Sequence, residues 1–95
     1  MKDLSLKGWA FLEGQVFDEN LRQLDKWGIQ NHNAVEWYAI TAEECGELAK
    51  AMLEYHFDGD RHAYEVVKEA IQTATLCLKI AEMFQAKCET GIVDF

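Results

Sequence analysis

The segment from Arg61 to Lys87 most constrains the fold, because its apolar residues repeat with the period of an α-helix. One stripe follows three- and four-residue spacing and comprises Ala63, Val66, Val67, Ala70, Ile71, Ala74, Cys77, Leu78, Ala81 and Phe84. A second stripe comprises Tyr64, Leu76, Ile80 and Met83. A helix with two apolar stripes needs more than one packing partner, so we expect it at the centre of the fold.

A first helix is predicted from about Trp9 to Lys26, after a short lead-in. Its apolar positions recur every three to five residues and are Phe11, Leu12, Val16, Phe17, Leu21 and Leu24. Gly28 is available as its C-terminal cap, because glycine readily adopts a positive φ there.

A second helix is predicted from about Ala34 to Tyr55. Asn33 and Glu36 have the spacing of a capping box, in which each side chain binds the other residue's backbone N–H. The expected core-facing residues are Trp37, Ile40, Leu48, Met52 and Leu53. Residues 57–60 form a turn, with Asp60 as a cap for the third helix. The tail, residues 88–95, either is loose or docks through Ile92, Val93 and Phe95.

The 95 residues suffice for one domain, residues 1–95, and the absence of proline favours long helices. Three helices with a central one that is apolar on two sides do not close a core alone. We therefore expect an all-α fold, a helical hairpin with an additional N-terminal helix, which completes a four-helix-type bundle by homodimerisation. A homodimer or a dimer of dimers satisfies this pattern.

The net charge and the cysteine pattern limit which binding partners and which cellular compartment the sequence predicts. A net charge of −8 argues against a nucleic acid polymer, because phosphate binding needs a basic surface. No apolar stretch predicts a signal peptide or a membrane span. Cys45, Cys77 and Cys88 form no CxxC pair, which fits reduced thiols in a cytoplasm.

Glu43-Glu44-Cys45-Gly46-Glu47 places three carboxylates within five residues of the second helix. Like charges one turn apart repel by roughly 0.2–0.5 kcal/mol per exposed pair. A divalent cation between the oxygens would relieve this repulsion, whereas a solvated acidic face would simply tolerate it. Gly46, which helix propensity disfavours, suggests the close approach of another backbone or a ligand.

Glu69 and Gln72 lie beside the second apolar stripe of the third helix, so both should be at least partly buried. A buried carboxylate needs a partner or a metal ion. The alternatives for Glu69 are a salt bridge or an exposed position at the edge of the stripe.

These acidic residues carry a family resemblance. Glu43-Glu44-x-x-Glu47 followed by Glu69-x-x-Gln72 resembles the MazG family of nucleoside triphosphate pyrophosphohydrolases, whose pattern is EExxE and then ExxD on the next helix. The segment from Gln23 to His32, which leads into Trp37, is similar to MazG-like proteins of phages and mobile elements. The resemblance covers roughly residues 20–85.

The resemblance implies an all-α dimer that holds Mg²⁺, or Mn²⁺, between carboxylates of two helices and converts a nucleoside triphosphate to a monophosphate and pyrophosphate. By position, Glu44, Glu47 and Glu69 are the implied metal ligands, with Gln72 at the fourth position. Glu43 and Glu47 are the candidate catalytic residues, and Glu43 is able to bind a second metal or orient a water. Mg²⁺ prefers such oxygen ligands.

Gln72 departs from the family pattern, which has aspartate there. An amide oxygen ligates a metal without charge and is a poor base. The alternative function is therefore a non-catalytic helical dimer that binds nucleotides or a protein partner, with its site eroded at Gln72. A purely structural dimer is a third, minor alternative.

Trp27, Trp37 and Lys50 are candidate substrate-binding residues, for base stacking and for phosphate contact respectively. The alternatives are aromatic core packing and an i,i+3 ion pair between Glu47 and Lys50.

The sequence disfavours three other chemistries. A di-iron bundle would need Glu-x-x-His motifs, a nucleophilic cysteine would need a histidine partner, and an EF-hand would need further ligands around Asp58 and Asp60.

Overall fold

The computed structural model describes residues 1–89 and contains three α-helices. They are α1 (Leu6–Trp27), α2 (Ala34–Asp58) and α3 (Ala63–Glu89), and a short 3-10 turn spans Asp60–His62. There is no β-strand within these residues, which confirms the all-α class. Both α1 and α2 pack against α3, and α1 does not approach α2 within the described chain. The prediction that α3 is central is confirmed.

Local capping sets the helix ends. The Asn33 side chain accepts a hydrogen bond from the Glu36 N–H at 2.8 Å, and the Glu36 carboxylate accepts one from the Asn33 N–H at 3.0 Å. Gly28, with φ of 69°, donates its N–H to the Leu24 carbonyl, so both predicted caps are confirmed. α1 begins earlier than the predicted Trp9, because the Ser5 hydroxyl accepts from the Gly8 N–H at 3.1 Å.

The connection between α2 and α3 differs from the expectation. Gly59 ends α2 with φ of 95°, and Asp60 lies inside the 3-10 turn, where its side chain makes no capping bond to any described residue. The prediction of an Asp60 cap was wrong. Asp58 instead binds Arg61 and lies 2.9 Å from His62, so its carboxylate stabilises the turn.

The core of the single chain is small. Its buried residues are Trp37, Ala51, Leu76, Gln23, Thr73 and Thr75. The two buried threonines are satisfied internally, since each hydroxyl donates to a backbone carbonyl one turn earlier at 2.8 Å. Met52 and Leu53 were expected in the core, but they are 46% and 58% exposed because α3 covers only one face of α2.

No helix within the described residues has the length and apolarity to cross a membrane. Cys45 and Cys77 are exposed and Cys88 is partly buried, and none of the three forms a disulfide within the part of the chain described. The expectation that the tail docks through Ile92, Val93 and Phe95 falls outside the described residues.

Candidate functional site: an acidic pair between two helices

The packing of α2 on α3 brings the carboxyl groups of Glu44 and Glu69 close enough to interact. Both residues are partly buried, and the Oε2 atom of each is buried without a hydrogen-bond partner among the described residues. A carboxylate oxygen removed from water in this way destabilises the fold by roughly 1–3 kcal/mol unless something binds it. The predicted partial burial of Glu69 is confirmed, as is that of Gln72.

The charge on this pair is unfavourable for the unliganded protein. Burial raises the pKa of the Glu44 carboxyl above its ordinary value, and the negative charges of Glu69, Glu47 and Glu43 raise it further. Two mechanisms therefore act in the same direction, desolvation and like-charge repulsion. Either a proton or a cation at Glu44 would relieve both.

The predicted ligand set is only partly assembled. Glu43 and Glu47 are exposed, and they influence Glu44 through their charge. No group of three or more His, Cys, Asp or Glu side chains within residues 1–89 is arranged to hold a metal ion. Two carboxylates are nevertheless a sufficient protein contribution for Mg²⁺, which commonly binds one or two carboxylates together with substrate phosphates and water. The unpartnered oxygens of Glu44 and Glu69 fit that chemistry.

The close approach of another backbone to Gly46 is not observed within the described chain, and the alternative of a bound ligand stays a prediction. A Cβ atom added at Gly46 would meet no described atom within 4 Å, so neither a neighbouring backbone nor a tight contact requires glycine there. Gly46 lies on the open side of α2. We find no packing reason for this glycine.

Gln72 lies one turn after Glu69 on α3 and is partly buried. Its amide makes no hydrogen bond to any residue in the described range, so its oxygen is free to act as an uncharged ligand. The i,i+3 spacing puts Gln72 on the same face of α3 as Glu69, and its role as a ligand stays a prediction.

The two tryptophans have different surroundings. Trp37 is 6% exposed and packs edge-on against His32, with ring centroids 5.0 Å apart. Trp27 is 51% exposed, and its ring lies 4.5 Å from the Lys26 ammonium and 5.7 Å from the Arg22 guanidinium. Trp37 therefore belongs to the core, whereas Trp27 presents an accessible aromatic face.

Trp37 also lines a cavity of about 490 Å³ between the ends of α1 and α3.

Lys50 is exposed and forms neither an ion pair nor a hydrogen bond within residues 1–89, so the alternative of a Glu47–Lys50 pair is not observed.

Sequence reasoning missed Arg22. Its guanidinium binds the Glu19 carboxylate through two hydrogen bonds, of 2.7 and 2.8 Å, and its charge interacts with Glu44. In the sequence, Glu19 and Arg22 look like an ordinary surface i,i+3 pair, which gave no signal of a site.

A buried polar network fixes α1 on α3 next to Arg22. The Lys79 ammonium donates to the Gln23 amide oxygen at 2.6 Å, and the Gln23 amide nitrogen donates to Glu19 at 2.7 Å. Gln23 is 6% exposed, so these bonds are shielded from water. The position of Glu19, and hence of Arg22, is set by this network.

Comparison with known proteins adds no assignment. The chain matches no protein-family model, no curated protein and no solved structure. Membership of the MazG family therefore stays a prediction from the sequence pattern. What the geometry supplies is a desolvated carboxylate pair with exposed acidic neighbours.

Proposed function

We propose that this chain is a cytoplasmic, Mg²⁺-dependent nucleoside triphosphate pyrophosphohydrolase of MazG-like type. The observation that carries the proposal is the meeting of Glu44 and Glu69, each with a buried oxygen that has no partner in the described chain. These two residues occupy the positions that the sequence pattern assigns to metal ligands on two different helices. Glu47 and Gln72 would complete the site from the neighbouring turns.

In this proposal the protein groups have separate tasks. Glu44 and Glu69 would hold the cation, which would offset the phosphate charge and lower the pKa of a bound water. Glu43 and Glu47 are exposed to solvent, so either carboxylate can accept the proton of the attacking water. Water adds to phosphorus, the α–β phosphoanhydride bond breaks, and the products are a nucleoside monophosphate and pyrophosphate.

A homodimer is part of the proposal. α1 and α3 leave an apolar groove of about 740 Å³, whose lining includes Trp9, Val66, Ala70, Ala74 and Leu78. Most of these residues belong to the first stripe of α3, which the single chain leaves open. A second copy that covers this groove would bury the first stripe of α3, as a closed bundle requires.

The proposal is tested by measuring pyrophosphate release from a panel of NTPs and dNTPs with Mg²⁺ or Mn²⁺, with EDTA as the control. The expected result is metal-dependent release with stoichiometric formation of the nucleoside monophosphate. Absence of release across the whole panel with either metal would exclude the proposed activity.

One observation favours a second candidate function. Within residues 1–89 no three acidic or metal-ligating side chains form a site, and an amide stands at position 72. A non-catalytic helical dimer that binds nucleotides or a protein partner would have these properties. Nucleotide binding by the wild-type chain without any product would favour this candidate over the enzyme.

A further inference from the structure

The cavity of about 490 Å³ beside Trp37 is formed by residues of α1, of α3 and of the connection between α1 and α2. None of the residues assigned above to the metal site lines it. It also shares no lining residue with the apolar groove, so the proposed homodimer does not need to cover it. Its volume lies within the range of about 300–1,000 Å³ that is typical of small-molecule pockets.

Lys79 lines this cavity and is partly buried. Its ammonium donates to the Gln23 amide oxygen at 2.6 Å, and Gln23, which is 6% exposed, donates in turn to Glu19 at 2.7 Å. An ammonium has three N–H donors, and within residues 1–89 this bond uses one of them. The Lys79 ammonium is therefore held in place and still has two donors to offer.

The surroundings of this ammonium are unfavourable for its charge. Burial lowers the pKa of Lys79, and the charge of Glu19 acts against this shift. No carboxylate of the described chain forms an ion pair with the Lys79 ammonium. A cation that is partly removed from water without an ion-pair partner is stabilised by a negatively charged acceptor. A ligand that carries a carboxylate would supply one.

Asn20 adds a second donor from the facing helix. It lies one turn before Gln23 on α1, lines the same cavity as Lys79 and is partly buried. Its side-chain amide makes no hydrogen bond to any residue that the structure describes. A carboxylate has two oxygens, so one can accept from Lys79 and the other from the Asn20 amide.

The remaining surface of the cavity limits the rest of the ligand. Leu24, Ile29 and Met83 provide apolar side chains along its wall. Glu82 also borders the cavity but is exposed to solvent, and together with Lys79 it leaves no net positive charge for a multiply charged anion. The cavity therefore suits a singly charged group attached to an apolar body.

We propose that this cavity binds a small monocarboxylate with an apolar body, whose carboxylate accepts hydrogen bonds from Lys79 and Asn20. Leu24 and Met83 contact the apolar body. Gln23 acts as a positioning residue that holds the Lys79 ammonium. The inference goes beyond the proposed function and does not rest on it, because it involves neither the metal ion nor the acidic pair.

The experiment is an NMR titration of the nitrogen-labelled full chain with phenylacetate and with isovalerate, whose bodies are aromatic and branched aliphatic. At least one acid should cause saturable shifts of the Trp37 indole and the Asn20 side-chain amide, with a Kd below about 10 mM. Phenylacetamide, the neutral isostere of phenylacetate, should bind at least about tenfold more weakly than phenylacetate. Trp9 lines the apolar groove, so its indole reports non-specific apolar binding and should not shift.

Two variants assign the binding to the proposed donors. Lys79→Met removes the charge and keeps the apolar stem, so it should weaken acid binding about 10- to 100-fold. Asn20→Asp keeps the size of the side chain and replaces a donor by a like charge, so it should weaken binding about tenfold. Lys7→Met makes the first change at the exposed start of α1 and should alter the affinity less than about twofold.

If Lys79→Met does not fold, Asn20→Asp carries the test, because the Asn20 amide makes no hydrogen bond within the described fold. Absence of saturable shifts with both acids would overturn the inference, and so would a response of Trp9 without one of Trp37. Unchanged affinity in either folded cavity variant, or equal binding of phenylacetamide, would overturn it as well. These outcomes are independent of whether the chain releases pyrophosphate, so failure of the inference and failure of the proposed function are distinguishable.

Discussion

Glu44 on α2 and Glu69 on α3 meet with one oxygen of each carboxylate buried and without a hydrogen-bond partner in residues 1–89. A fold gains nothing in stability from such a pair when it is unliganded. The pair lies where the sequence pattern places metal ligands, and the exposed acids Glu43 and Glu47 add to its negative charge. Because the unliganded pair lowers the stability of the fold, removing one of its charges provides the first test.

Glu44→Gln should stabilise the metal-free protein at neutral pH. The folded-state pKa of Glu44 is raised by burial and by neighbouring carboxylates, so folding is favoured while the group is protonated and loses stability as pH rises through that pKa. In EDTA, the wild-type Tm should fall as the pH rises from the ordinary pKa of a glutamate carboxyl toward neutrality. Glu44→Gln should reduce this fall. We expect a Tm gain of about 4 °C at pH 7.5.

Glu82→Gln, on an exposed part of α3, is the control for removing one negative charge. A Tm gain in this control as large as that of Glu44→Gln would trace the effect to net charge. A lower Tm for Glu44→Gln would contradict the account of the pair.

Gln72→Asp adds a carboxylate one turn from Glu69. It should increase Mg²⁺ affinity by about tenfold, because ligand charge tunes affinity at oxygen sites. The same change should lower the Tm of the metal-free protein by repulsion from Glu69 and Glu44. Isothermal titration with Mg²⁺ checks the first effect and differential scanning calorimetry the second.

Gln85→Asp, on the exposed part of α3, is the matched control and should leave Mg²⁺ affinity unchanged. If Gln72→Asp behaves like this control, residue 72 lies outside the site. A large gain in the rate of pyrophosphate release by Gln72→Asp would indicate an eroded site. A loss of this activity would show that Gln72 belongs to a working site.

Local chemistry in the sequence predicted the helices well, and their packing less well. The Asn33–Glu36 capping box and the Gly28 cap depend only on near neighbours, so spacing was sufficient to find them. The exposure of Met52 depends on which faces α3 covers, and no local pattern encodes that. Glu69 was identified from its place beside an apolar stripe, but its partner in α2 came from a family resemblance.

Two features of the site show the limits of reading spacing alone. Arg22 was missed because its i,i+3 pair with Glu19 is indistinguishable from a surface ion pair until α1 is packed on α3. The unfavourable helix propensity of Gly46 does not reveal whether a neighbour is close, and no described atom approaches it. Tertiary contacts decide both cases.

Trp27 and Trp37 should respond differently to the same substitution. Trp27→Phe should raise KM several-fold and leave the free energy of unfolding unchanged, since the ring is half exposed. Trp37→Phe should lower the free energy of unfolding by about 2 kcal/mol, because it removes part of a buried ring. Urea denaturation and steady-state kinetics measure the two effects, and a reversal of this pattern would contradict the assigned roles.

Leu78→Glu should disrupt the proposed homodimer. Leu78 lines the apolar groove and is 58% exposed in the single chain, so a charge there is tolerated by the monomer and opposed in a buried interface. Sedimentation velocity should show a dimer for the wild type and for the control Gln85→Glu, and a helical monomer for Leu78→Glu. A monomeric wild type would contradict the proposed assembly.

The most direct test of the central claim is the initial rate of Mg²⁺-dependent pyrophosphate release in wild type, Glu44→Gln, Glu69→Gln and the control Glu82→Gln. The account predicts that either change in the pair lowers the rate by at least about a hundredfold, while Glu82→Gln retains the wild-type rate. Substantial release by Glu44→Gln or Glu69→Gln would contradict the claim that these two carboxylates hold the catalytic metal.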